Sequence, residues 1–158
     1  MPYLIDGYNL LRAVQKMEEF SSFTDVQMCR ALSDYLRCIR DHGHVIFDGI
    51  GPPDKSPFGG MPSLEVYFSG QKTDADTVIE QKIADNTAPK SLVIVSSDRR
   101  IRTSAAKRRA ASIQAELFWL TLLNQLEKAA KRPAPEPFQK RHGLTNRETD
   151  LWLKKFDL

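Results

Sequence analysis

Four short runs rich in Ile, Val, Tyr and Phe alternate with stretches long enough to hold helices, and this alternation limits the possible folds more sharply than any other feature. The runs are Tyr3 to Asp6, His44 to Asp48, Leu64 to Ser69 and Leu92 to Ser96, each with the length and residue types of a strand. A short fifth strand is expected near Ser112 to Gln114. Thr24 and Gln27 stand at capping-box spacing before Val26, Cys29, Leu32, Leu36 and Ile39, which repeat every three or four residues. This helix is expected to end at His42-Gly43. Further helices are expected over Asp74 to Asn86, with Val78, Ile79 and Ile83 inward, and over Arg99 to Ala111. The last runs from Glu116 to Lys131, with Trp119, Leu120, Leu123 and Leu126 on one side. Strands separated by helices imply an α/β fold, a parallel sheet of about five strands flanked by helices.

A chain of 158 residues supports one such core. We expect it in residues 1–131, with residues 132–158 forming a Pro-rich linker and a C-terminal helical tail. Pro133, Pro135 and Pro137 stiffen the linker, and Leu144, Leu151, Trp152 and Phe156 can share one side of a helix over Thr145 to Phe156. The connection from Gly49 to Ser63 lacks helical periodicity and reads either as a substrate-side loop or as ordered cover. No apolar stretch approaches a membrane span, and the N-terminus enters a strand directly without the features of a secretory leader. A cytoplasmic protein with no membrane partner is the expectation. Cys29 and Cys38 fall in one helix, where about 1.5 Å of rise per residue separates them by roughly 13 Å, too far for a disulfide.

A net charge of +3 says little about partners, but its distribution says more. Arg99, Arg100, Arg102, Lys107, Arg108 and Arg109 lie close together with no acid between them. They form either a phosphate-binding surface or a solvated helix face.

In a parallel sheet, the residues just past each strand gather on one edge, where ligands bind. Here that edge is acidic: strand one ends at Asp6, strand two at Asp48, strand three leads to Asp74 and Asp76, and strand four leads to Asp98. Gathered carboxylates repel one another and suit divalent cations, which prefer hard oxygen ligands. Individually, Asp74, Asp76 or Asp98 could be a helix cap, and Asp6-Gly7 or Asp48-Gly49 a turn.

Tyr3-Leu4-Ile5-Asp6-Gly7-Tyr8-Asn9-Leu10 resembles the opening signature of the YacP-like NYN family, a bacterial branch of the PIN-like nucleases. Phe47-Asp48-Gly49, Ala75-Asp76 followed by Ile79-Glu80, and Ser97-Asp98-Arg99 are similar to its later motifs, and Ser112 to Trp119 to its closing strand-to-helix segment. The resemblance covers about residues 3–125. One departure is Thr77 where the family usually carries a second acid, with Asp74 added two positions before Asp76. The number of metals and the choice between Asp74 and Asp76 as principal ligand stay open.

The resemblance implies a PIN-like fold and a ribonuclease dependent on Mg²⁺ or Mn²⁺, with RNA as substrate. Asp6, Asp76 and Asp98, with Asp48 and Asp74 as further candidates, would bind metal, and Asn9 would orient water or phosphate. Ser97 would donate to a phosphate oxygen, and Arg99, Arg100, Arg102, Lys107 and Arg108 would line the RNA backbone. The competing reading is an RNA- or ribosome-binding module of the same fold with little cleavage. An aspartyl-nucleophile phosphatase finds less support, because Tyr8 stands where a second Asp would be expected. No glycine-rich nucleotide-binding loop is present.

Overall fold

The computed structural model of the chain describes residues 2–131, so the expected linker and tail helix lie outside the described residues. Five parallel strands form the sheet in the order β3-β2-β1-β4-β5. They are β1 (Tyr3–Asp6), β2 (Gly43–Phe47), β3 (Leu64–Phe68), β4 (Val93–Val95) and β5 (Ala111–Ile113). The first strand is central: Tyr3 pairs with Gly43 on one side and Val93 on the other. The helices are α1 (Gly7–Gln15), α2 (Asp25–Cys38), α3 (Ala75–Asp85), α4 (Arg99–Lys107) and α5 (Ala115–Ala130).

Two cores follow from the two faces of the sheet. One joins α1, α2 and α5 to Ile5, Val45, Phe47 and Val95. The other packs Ile79 and Ile83 of α3 and Ile101 and Ala105 of α4 against Leu4, Ile46 and Ile94. Residues alternating along each strand therefore feed opposite layers, which is why these strands read as nearly continuous apolar runs.

Helix α1 is not among the helices expected from the sequence. No side chain caps it, and Gly7 is its first residue. It forms because Leu10, Leu11 and Val14 are buried in the core shared with Phe118 and Leu122. Gly7 is required there, since a Cβ would lie 2.5 Å from Phe47 Cδ1 and 2.9 Å from the Ile46 carbonyl oxygen.

Helix α2 begins with the expected capping box, Gln27 N–H donating to Thr24 Oγ1 at 3.1 Å and Thr24 N–H to Gln27 Oε1 at 2.9 Å. It ends at Cys38, and Gly43 opens β2 instead of closing the helix. Cys29 is buried and Cys38 exposed, and neither is in a disulfide. Helix α4 stops at Lys107, short of the expected Ala111, because Arg109 takes a positive φ of 61° and Ala111 enters β5. On α5 the inward set is Ala115, Phe118, Trp119, Leu122 and Leu126, whereas Leu120 is 54% exposed. In the long β2–β3 connection a 3-10 turn over Ser56–Phe58 buries Phe58 against Phe47 and Phe68. Phe58 thus covers the core, while most of the segment is exposed. Among the described residues, no helix is long and apolar enough to cross a membrane.

Candidate functional site: an acidic edge at the carboxyl ends of the strands

Asp6 is the last residue of β1 and is only 6% exposed. Its Oδ2 accepts from Ser96 Oγ at 3.2 Å, and the Asn9 backbone N–H also holds its carboxylate. These bonds favour the charged form but do not offset burial and the negative charges of Asp76 and Asp98. Burial first, then Asp76, raises the Asp6 pKa from 3.8 to about 6.

Asp76 stands in the first turn of α3, half-buried. Burial, then the charges of Asp98 and Asp74, push its carboxyl above the usual range, partly offset by Arg100. Asp98 caps α4, its Oδ1 accepting from Arg100 N–H at 2.8 Å. The fields of Asp6, Asp76 and Asp98 thus overlap at one place, although the residues come from three elements.

Asp48 and Asp74 make different contacts. Asp48 Oδ1 accepts from the Ala75 backbone N–H at 3.1 Å and lies 3.4 Å from Ser69 Oγ. It ties the end of β2 to the start of α3. Asp74 is the side-chain cap of α3, accepting from Thr77 N–H at 2.7 Å. Hydrogen bonds from the Thr77 side chain first, and then from its backbone N–H, hold the carboxyl below the usual range. Asp74 caps the helix end, and Asp76, two residues on, lies in the fields of Asp98 and Asp74.

Two residues at this edge have no distinct signal in the sequence. Ser96 is fully buried, donating to Asp6 and accepting from Asp98 N–H at 3.0 Å, and so joins two of the three acids. Glu116, in the first turn of α5, accepts from Ser97 Oγ at 2.9 Å. The Ser97 hydroxyl also accepts from Ala115 N–H at 3.0 Å. Its one proton is thus directed to Glu116. Asn9 Oδ1 accepts from the Ser97 N–H at 2.8 Å, fixing the loop after β4 against α1. Strand alternation could have placed Ser96 at a buried position, but its partner Asp6 lies ninety residues away in the chain.

The basic residues divide. Arg100 Nε meets Glu80 Oε1 at 2.5 Å, and Arg108 Nη2 donates to the Asn86 carbonyl at 2.8 Å. Arg102 Nε reaches toward Ser112 of β5 at 3.5 Å. Arg99 and Lys107 are exposed.

Among the described residues, no three His, Cys, Asp or Glu side chains are grouped closely enough to hold a metal ion by themselves. The donor chemistry nevertheless fits Mg²⁺ or Mn²⁺. Such ions usually take one or two carboxylates and fill the remaining positions with water and substrate phosphate oxygens.

A parallel five-stranded sheet with helices on both faces and acids clustered past its carboxyl ends defines an α/β domain of the PIN-like, Rossmann-like type. The YacP-like NYN domain profile matches residues 3–156, and the chain belongs to that family. The match runs beyond residue 125 and includes most of the tail. Two solved structures agree in fold. Rae1 (YacP) from Bacillus subtilis is 18% identical with a TM-score of 0.73, covering 99% of this chain and 92% of that one. A tryptophan-to-leucine mutant of the same protein is 18% identical with a TM-score of 0.63, covering 96% of this chain and 99% of that one. No curated protein matches the sequence.

Proposed function

We propose that the chain is an endoribonuclease that hydrolyses RNA phosphodiester bonds at Asp6, Asp76 and Asp98 with Mg²⁺ or Mn²⁺. The observation that carries this is the carboxyl of Asp6, only 6% exposed at the carboxyl edge of the sheet, hydrogen-bonded to Ser96 and within the fields of Asp76 and Asp98. A fold that needed these acids only for stability would not leave them repelling one another. A divalent ion supplies charge neutralisation of the phosphate and activation of a water when bound. The protein's own part is to hold the carboxylates in place: Ser96 joins Asp6 to Asp98, and Asp48 fixes the helix that carries Asp76. Asn9 locks the loop after β4, and its role is to position that loop through Ser97. Family membership supports a nuclease-like, RNA-related domain.

A second reading draws on the absence of a preformed three-ligand group among the described residues. It is a module that binds RNA, alone or on the ribosome, through the basic residues and cleaves little. One experiment separates the two: incubation of a labelled RNA with wild type and Asp76→Asn, in Mg²⁺, in Mn²⁺ and in EDTA. The nuclease predicts new RNA ends only with wild type and metal, while Asp76→Asn still binds RNA. Binding without scission under every condition overturns the nuclease in favour of the module. Equal scission in EDTA overturns the metal requirement.

A further inference from the structure

Helices α3 and α4 both start at the acidic edge, with Asp74 capping one and Asp98 the other. They run side by side away from it, joined by the Arg100–Glu80 ion pair, the Ser104–Glu80 bond and the Arg108–Asn86 bond. Between them lies a cleft of about 460 Å³ whose lining includes Thr77, Glu80, Ala84, Arg100, Lys107 and Arg108. Its upper end is Thr77, next to Asp76, and its lower end is basic.

The cleft also sorts the basic run by face. At 3.6 residues per turn, Arg100, Ser104, Lys107 and Arg108 share the side of α4 that lines the cleft. Ile101 and Ala105 are buried beneath. Arg99, Arg102 and Ala106 fall on a different side, where Arg102 reaches toward β5. Three cations against Glu80 leave the cleft net positive, and Glu80 holds Arg100 in a fixed orientation beside Asp76.

We propose that this cleft is the track for the backbone of a single RNA strand on one flank of the reacting phosphate, and that the β5-facing side of α4 is not. Arg100 to Lys107 spans about 10 Å along the helix axis, room for more than one phosphate contact. The inference rests on the RNA-substrate reading and refines it by assigning a path.

The test is binding of a fluorescent single-stranded RNA 12-mer in EDTA, followed by anisotropy as a function of salt. Ala84→Glu introduces a negative charge into the cleft at an exposed helical position, removing no contact. Ala106→Glu makes the same change on the other exposed side of α4. Lys107→Ala removes a cleft cation. We expect Ala84→Glu and Lys107→Ala to weaken binding, with Lys107→Ala reducing the log–log salt slope by about 0.7, the value for one phosphate contact on a single strand. Ala106→Glu should bind within twofold of wild type. If Ala106→Glu weakens binding as much as Ala84→Glu, or Lys107→Ala leaves the slope unchanged, the cleft is not the track while RNA binding stands. If wild type itself fails to bind the 12-mer, the RNA reading falls with it. Thermal melts of each variant exclude loss of fold as the cause.

Discussion

Replacing Asp6 by Asn should stabilise the metal-free protein at alkaline pH and do nothing at acid pH. Asn has nearly the same shape, and its side-chain oxygen can accept the bonds that Ser96 Oγ and the Asn9 N–H donate to Asp6. What it removes is the ionisation. In the folded protein the Asp6 carboxyl titrates at about 6 instead of 3.8, a preference for the protonated form of about 3 kcal/mol. Because the folded pKa lies above the unfolded one, the stability linked to this group is fully present below about 3.8 and is lost as pH rises through about 6. Above that, wild type carries the full cost and Asp6→Asn does not. Urea unfolding in EDTA at pH 8 and pH 3.5 measures the difference. At a slope of about 1–3 kcal/mol per molar urea, the Asn variant should unfold about 1–3 M later at pH 8, and the two midpoints should converge at pH 3.5. A gap of the same size at both pH values would assign the effect to packing. A less stable Asn variant at pH 8 would refute the claim that Asp6 is held charged against its surroundings.

Other expectations follow from the contacts. Asp48→Asn keeps an acceptor for the Ala75 N–H and Asp48→Ala does not; if Asp48 anchors α3, Asn should retain most RNA cleavage while Ala loses it and about 1 kcal/mol of stability. Equal loss of cleavage and of Mg²⁺ affinity in both variants would make Asp48 a metal ligand instead. Phe58 is 7% exposed and packs on Phe47 and Phe68, so Phe58→Ala should cost about 3–5 kcal/mol. An unchanged denaturation midpoint would show that Phe58 does not cover the core.

Local pattern carried much of the architecture. The capping box at Thr24 and Gln27 and the apolar runs at β1 to β4 are signals within one element, and each formed where its pattern placed it. Parallel pairing of β1 with β2 and β4, and of β4 with β5, follows from the helical stretches between runs, whereas β2 and β3 pair in parallel across a connection without an α-helix; the parallel sheet brings Asp6, Asp76 and Asp98 to one edge. Helix α1 was illegible because its local signals are poor: it has Gly first and no side-chain cap, and it is held by tertiary burial of Leu10, Leu11 and Val14. The roles of the acids were also beyond reading from sequence. Asp48 and Asp76 are alike as letters, but one accepts from a backbone N–H twenty-seven residues away and the other lies in the fields of several carboxylates. Ser97 donates to Glu116, and Arg100 pairs with Glu80 while lining the cleft, for the same reason. The sequence determined which groups reach the edge, since strand and helix periods act over a few residues. Only the tertiary structure decided which carboxylates are neutralised and which remain exposed to one another, because hydrogen bonds and fields depend on distances set by packing between remote segments.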